Sequence, residues 1–513
     1  MSASTEKKNR QAARAAGIDK KQLAAQEAAK KQAKSKLRWT LGTIAVILLI
    51  AAIIFLDSGF LYKHTTAVTV GDESYTPAEM NYQYSSQYVS FVNQYGSYAS
   101  IFGLDTSTGL AGLDAQSCPM MENGTWRDYF SDAAINQLVQ VKAACDYASA
   151  NGISLTEEET AAIDADFADL ADYAKSMGYS SVNNFLAANY GEGVNAGIAT
   201  QAAYDSNLAS KAITAYSDAL SYTADELAAQ YESYNGDQDY FDIAYYLVSA
   251  ERVAGEDGTE AATDETKAEA EKTANAIMAA YKELEGDDVV ENLNAALTAS
   301  SIDAECVHSS RSQGSGLGTY KDWAMGKRAA GDVTVCANTN GDGYYVVTYL
   351  GRDDNNYKLA QVRHILVMAA ADENGEYTDE AKAEALTKAE NILTEWKAGE
   401  ATEESFAALA EQYSEDSGSN TNGGLYDSVQ KGQMVEEFDK FCFEGHKPGD
   451  TAIVYGESGS YAGYHVMYYV GEGQTCRDSI AENDLRNTDL SAWLEEITSA
   501  YEPVKGFWYK LVG

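Results

Sequence analysis

The chain has 513 residues, too many for a single hydrophobic core and enough for several domains of about 100 to 200 residues each. Its 37 Lys and Arg face 78 Asp and Glu, a formal charge of −41, which excludes a nucleic-acid partner because neutralising phosphates takes clustered cations. Eleven of those cations lie in residues 1–38 beside three acids, so that tail carries +8 and the remainder −49.

From the N-terminus, the Ala/Lys/Gln-rich stretch KKNRQAARAAGIDKKQLAAQEAAKKQAKSK reads as a solvated or membrane-surface helix. It leads into WTLGTIAVILLIAAIIFL, residues 39–56, whose 18 residues are about the minimum that crosses a bilayer as a helix. The positive-inside rule then predicts a single-pass cell-membrane protein, with residues 1–38 cytoplasmic, 39–56 transmembrane and the bulk of the chain extracytoplasmic. A signal peptide is the alternative, but the run is long for one and LDSGFLYKH after it lacks a small-x-small cleavage pattern. Cys118, Cys145, Cys306, Cys336, Cys442 and Cys476 all follow this segment, where disulfides are permitted, and their pairing stays open.

Residues 67–76, AVTVGDESYT, predict two short strands around a Gly-Asp turn. A helix starts next, with Thr76 as its cap, Pro77 in its first position and Glu79 completing a capping box. Thr156 and Thr223 open two further helices in the same way, and residues 65–232 read as a mostly helical, chaperone-like domain. Its tyrosines, Tyr82, Tyr84, Tyr88, Tyr95 and Tyr98, suit either an apolar binding surface or an ordinary core and rim.

Beyond residue 236 the sequence repeats. DIAYYLV (242–248) answers QVRHILV (361–367), DETKAEA (264–270) answers DEAKAEA (379–385), AGDVTV (330–335) answers PGDTAI (448–453), and GYYVVTYLG (343–351) answers GYHVMYYVG (463–471). Four matches in one order at nearly constant spacing predict two copies of one α/β domain, 236–355 and 358–474. Each copy reads as strand, long helix (Leu386, Ala389, Leu393 and Trp396 on one face of the second), second helix, Gly-rich loop, short helix and terminal strand. A helix carrying Leu490, Trp493, Leu494, Ile497 and Tyr501 fills most of 475–513 and is expected to pack on the 65–232 domain.

What the copies share is what the fold requires, so the residues of one copy alone are the functional candidates. His364 stands where the first copy has Tyr245, and His465 where it has Tyr345. Met434 and Phe438, in GQMVEEF, fall opposite Gly316 and Tyr320, and GGLYDSVQKGQM has no clear counterpart.

In VRHILV, FAALAEQYSEDSGSNTNGG, GQMVEEF and GYHVMYYV, in that order, the second copy resembles the parvulin family of peptidyl-prolyl cis/trans isomerases, and the arrangement looks like extracytoplasmic foldases of the PrsA/SurA type, a resemblance specific over 358–474, degenerate over 236–355 and only architectural over 65–232 and 475–513. The resemblance implies an α+β protein with a membrane helix, a chaperone-like helical domain and two tandem parvulin-like domains, the first degenerate. It implies a polar catalytic network of His364, His465 and Asp416, with Ser460 beside the second histidine, and a substrate pocket formed by Met434, Phe438, Gln433 and Tyr426. Tyr426 stands about where relatives carry an apolar Leu. The bland readings are a capped turn at Asp416, core positions for Met434 and Phe438, and a zinc site built from the two histidines and the aspartate.

No cofactor is implied. The implied substrates are unfolded or partly folded exported polypeptides. Relatives that prefer phosphorylated substrates carry cations in the loop after the first strand, but MAAADENGEYTDE has none before Lys382, so no phosphate-specific recognition is expected. The alternative function is a non-catalytic holdase or a peptide-binding envelope scaffold.

Overall fold

The computed structural model describes residues 7–8, 11–12, 15–17, 20–57, 59–254, 259–459 and 461–513. A helix, α1 (Lys20–Asp57), runs from the basic tail through the apolar run. The structure corrects the expected membrane span at 39–56 and, with it, the single-pass membrane localisation. Among the described residues no helix is long and apolar enough to cross a membrane. The described side chains of the run cover only residues 39–50, those of 51–57 lying outside the description.

The rest of the chain forms two compact units, residues 1–220 with 489–513, and residues 221–488. In the first, α2 (Phe60–His64) precedes the hairpin β1 (Val68–Val70) and β2 (Glu73–Tyr75). The turn needs glycine twice over: Gly71 has φ +60°, and a Cβ there would stand 3.0 Å from the Tyr501 ring. Then come α3 (Pro77–Tyr95), α4 (Trp126–Ala150), α5 (Glu157–Ser176), α6 (Val182–Tyr190) and α7 (Ala196–Ala219). Thr76 and Thr156 make the capping boxes that start α3 and α5. Met80, Tyr84, Trp126 and Phe130 are fully buried at the centre, so most of the tyrosine-rich face of α3 is core and rim. From the C-terminal end, Val504 and Lys505 pair antiparallel with β1, and the Trp493 ring stacks on Tyr216 with centroids 4.1 Å apart.

The second unit starts earlier than the sequence suggests. The helix capped by Thr223, α8 (Ala224–Ser233), belongs to it, because the Tyr231 hydroxyl donates to the buried Asp239 at 2.8 Å. Two α/β modules follow. The first comprises β3 (Tyr240–Ser249), a small hairpin of β4 (Arg252–Ala254) and β5 (Glu260–Ala262), α9 (Asp264–Lys282), α10 (Val289–Ala299), β6 (Val307–Gln313), α11 (Lys321–Met325), β7 (Val333–Ala337) and β8 (Gly343–Asp353). The second comprises β9 (Lys358–Met368), α12 (Asp379–Ala398), α13 (Glu403–Tyr413), β10 (Leu425–Val429), α14 (Glu436–Phe443), β11 (Thr451–Ser458) and β12 (Tyr461–Thr475).

The two sheets have the same order, β6-β3-β8-β7 and β10-β9-β12-β11, and every pairing is antiparallel. The strand in GGLYDSV therefore does have a counterpart: β6 occupies the place of β10 and starts 118 residues before it. Both are sparsely buried edge strands, so neither carries the apolar pattern that would reveal the match in sequence.

In β9 and β12, alternation sends Ile365, Val367, Val466 and Tyr468 to one face, against α12 and α13. The buried stripe of α12 is Ala385, Ala389, Ile392 and Trp396; Leu386 and Leu393 flank it rather than forming its centre. The opposite face, with Val362, Met467 and Tyr469, packs on Phe438 and Phe441 of α14. All six cysteines are free.

Candidate active site

Pairing of β9 with β12 sets His364 opposite Met467 and His465 opposite Leu366. The two imidazoles thus share one face on diagonal positions, close enough for side chains to touch. They do: Nδ1 of His364 lies 3.0 Å from Nδ1 of His465, with both rings buried. Space for the second ring comes from Gly456 on β11, where a Cβ would stand 2.7 Å from His465 Nε2.

The loop after α13 delivers the acid. Asp416 Oδ2 lies 2.9 Å from His364 Nε2 and accepts from the Ser419 hydroxyl at 2.6 Å and the Tyr426 hydroxyl at 3.0 Å; Oδ1 accepts from the Gly418 N–H at 3.1 Å. Chain geometry requires glycine next to it. Gly424 has φ +71°, its carbonyl accepts the His364 N–H at 2.9 Å, and a Cβ on it would stand 2.2 Å from the His364 carbonyl oxygen. At the far end of the pair, His465 Nε2 lies 3.0 Å from the Tyr461 hydroxyl.

An aspartate accepts, so His364 Nε2 carries a hydrogen. One hydrogen lies between the two Nδ1 atoms; with a single proton on His364 it belongs to His465, whose Nε2 then accepts from the Tyr461 hydroxyl. The row of Tyr461, His465, His364 and Asp416 fixes both rings through its hydrogen bonds. The hydrogen bond from His364, reinforced by Ser419 and Gly418, holds the Asp416 carboxyl well below the usual carboxylate range in spite of partial burial. Burial, and then the adjacent His364 ring, push His465 down to about 3. Burial and the Asp416 charge push the Tyr426 hydroxyl up to about 12 and raise Tyr461 in the same direction.

Phe438 lies against this network, its ring edge-on to both histidines with centroids 5.4 Å and 5.3 Å away. At 1 % exposure it is a floor rather than a wall. Met434 packs on the same apolar cluster but stays half-buried.

The structure thus brings together His364, His465, Asp416, Tyr426 and Phe438, with the half-buried Met434 packed on the cluster that holds Phe438. Two sequence-derived assignments change. Gln433 is exposed, and its carboxamide accepts the Gln430 N–H at 2.9 Å, which spends it on a turn rather than on the network. Tyr426 joins the network through its hydroxyl instead of forming an apolar wall, which explains the departure from Leu. Ser460 lies outside the described residues. Ser419 and Tyr461 were missed. Ser419 falls three residues after Asp416, and Tyr461 four before His465 on the same strand face, so both spacings carried a signal. Among the described residues, no group of three or more His, Cys, Asp or Glu side chains is arranged to hold a metal ion.

In the first module three rings take the equivalent places. Tyr245, Tyr345 and Tyr320 meet with centroids 5.5 to 6.4 Å apart, where the second has His364, His465 and Phe438.

Residues 344–468 match the profile of the PPIC-type PPIASE domain. The chain is similar to the chaperone SurA of Pseudomonas fluorescens, 30 % identical over 202 residues covering 36 % of this chain and 42 % of the relative. It is also similar to foldase protein PrsA 1 of Listeria innocua, 38 % identical over 109 residues covering 21 % of this chain and 29 % of the relative. Among solved structures, PrsA of Bacillus subtilis aligns at 27 % identity over 28 % of this chain and 47 % of that one, with a TM-score of 0.18. The chain thus spans less than half the length of the curated relatives it matches.

Proposed function

We propose that the second α/β module catalyses cis/trans isomerisation of X–Pro peptide bonds, and that the chain acts as a foldase on unfolded or partly folded polypeptides. The observation that carries this reading is the buried His364–His465 pair, anchored by Asp416 and floored by Phe438, inside the segment that matches the PPIC-type PPIASE domain.

Rotation about an X–Pro bond faces a barrier of about 20 kcal/mol because the twisted amide loses its resonance. No bond is broken, so the site needs neither nucleophile nor leaving group. It must hold the twisted amide better than either planar form, in surroundings that do not reorganise. In this reading the prolyl ring enters at Met434, above Phe438. The imidazole row is a fixed set of dipoles beside the turning amide. Asp416 anchors it, and Ser419, Tyr426 and Tyr461 complete its hydrogen bonding so that neither ring can flip.

The test is the cis/trans exchange rate of a short X–Pro peptide with the full chain. Acceleration is expected, with a fall of about tenfold or more in kcat/KM for His364→Ala and for Met434→Ala. A folded chain without acceleration would leave the binding-only reading. Tyr245, Tyr320 and Tyr345 favour that reading for the first module, where an aromatic floor remains without imidazoles.

A further inference from the structure

Met434 sits at the end of a short loop, residues 430–434, and the first module grips that loop. Lys431 donates its backbone N–H to the hydroxyl of Tyr357, in the linker between the modules, at 3.1 Å. Its ammonium lies 4.2 Å from the Tyr357 ring centroid and 3.5 Å from the carboxylate of Asp353, the last residue of β8. Gly432 follows with φ +74°, and a Cβ on it would stand 3.0 Å from Cδ of Arg311, a β6 residue. The arm of Arg311 thus lies along the glycine, while its guanidinium covers the Tyr240 ring at 3.6 Å and reaches to 3.9 Å from Asp353. One carboxylate of the first module therefore stands between its own arginine and a lysine of the second. By strand register the position equivalent to Arg311 in the second module is Ser428, so this cation belongs to the first copy alone.

We propose that Arg311 and Asp353 are positioning residues for the proline site: they fix loop 430–434 and so keep Met434 at the lip. The first module, without imidazoles of its own, serves as the platform on which the second module's substrate-facing loop rests. The inference rests on the isomerase reading for its kinetic consequences but not for its structural ones. Within its own module the loop is held by the Gly432 N–H on Asp439 Oδ1 at 2.7 Å and by the Gln430–Gln433 turn, and the Arg311 arm and Asp353 add the restraint on its other side that a flexible methionine after a left-handed glycine needs to keep one place. Binding energy lost to a loose lip appears in substrate affinity, whereas the imidazole row, held by its own hydrogen bonds, keeps its chemistry.

The experiment compares Arg311→Ala and Arg311→Met in the full chain, the second keeping an apolar arm along Gly432 if the first fails to fold. Expected is a rise of about three- to tenfold in KM for an X–Pro peptide with kcat within about twofold, and little further loss when the same change is made in a Met434→Ala background. The methyl resonance of Met434 should shift and broaden in both variants. Equal KM effects in the two backgrounds, or an unmoved Met434 resonance in a folded variant, would overturn the proposal. If the parent chain does not accelerate exchange, the isomerase reading fails, and the Met434 resonance alone then decides whether Arg311 positions the lip.

Discussion

Acidification from about pH 8 to about pH 4.5 should leave His465 uncharged in the folded chain, a range over which an ordinary histidine titrates fully. Burial, followed by the adjoining His364 ring, takes its imidazole from 6.5 to about 3, against a smaller opposing pull from Asp416. The unfolded chain binds that proton near pH 6.5 and the folded chain does not, so between the two values the unfolded state holds more protons and stability falls as pH falls. Fully developed, the slope is about 1.4 kcal/mol per pH unit, so this one side chain removes roughly 2 to 3 kcal/mol of stability between about pH 6.5 and 4.5. Above about pH 7.5 it adds almost no pH dependence. Asp416, held low, acts in the usual carboxylate sense: its contribution is complete above the ordinary carboxylate range and is lost only as pH falls below it. The assay is a ring-proton NMR titration of the full chain, the His465 signal assigned by its loss in His465→Leu, run beside denaturant unfolding at each pH. No protonation of His465 and a declining unfolding free energy are expected. Protonation of His465 itself near pH 6.5 would refute the reasoning.

Asp416→Asn should lower kcat/KM by about tenfold or more with little change in fold, because His364 loses its charged acceptor and one of the two oxygens becomes a donor facing other donors; peptide exchange beside a circular-dichroism spectrum checks this. Tyr461→Phe leaves the buried His465 Nε2 without a donor and should cost about 1 to 2 kcal/mol, read by denaturant unfolding, and let His465 take a proton at higher pH. Gly424→Ala forces a Cβ into the His364 carbonyl oxygen at a positive φ and should destabilise the second module by about 2 kcal/mol or more, measured as a lowered Tm of the full chain.

The repeat was legible because strand and helix boundaries, which packing dictates, recur at nearly fixed offsets, as in QVRHILV and DIAYYLV. The exceptional positions were legible for the opposite reason: His364 and His465 break a pattern that Tyr245 and Tyr345 keep. What sequence does not carry is the diagonal register of β9 and β12, which turns two histidines 101 residues apart into a contact. Tyr426 was read by analogy as an apolar wall because its hydroxyl partner sits on another loop. Gln433 was read into the pocket because it adjoins Met434, although one residue of separation on a tight turn sends the two side chains apart. The membrane span was read from 18 letters, a length at the lower limit for the purpose.

The two modules show why the chemistry is easy to lose and hard to regain. Their registers agree, Tyr245 facing Val347 and Leu247 facing Tyr345 as His364 faces Met467 and Leu366 faces His465. Three phenol rings in those places ask only for packing, which the sheet face supplies. Two buried imidazoles ask for more, since every ring nitrogen withdrawn from water needs a partner. Those partners come from positions the fold does not otherwise need to be polar: the residue three beyond α13 is Asp416, whereas the one three beyond α10 is Ile302, which packs against the first module's apolar cluster. Tyr245→His with Tyr345→His should therefore give the first module a pair of rings without an anchor, and no proline exchange in a chain whose own site is silenced by His364→Ala. Exchange in that triple variant would show that the row of donors is dispensable and that the apolar floor alone turns the bond.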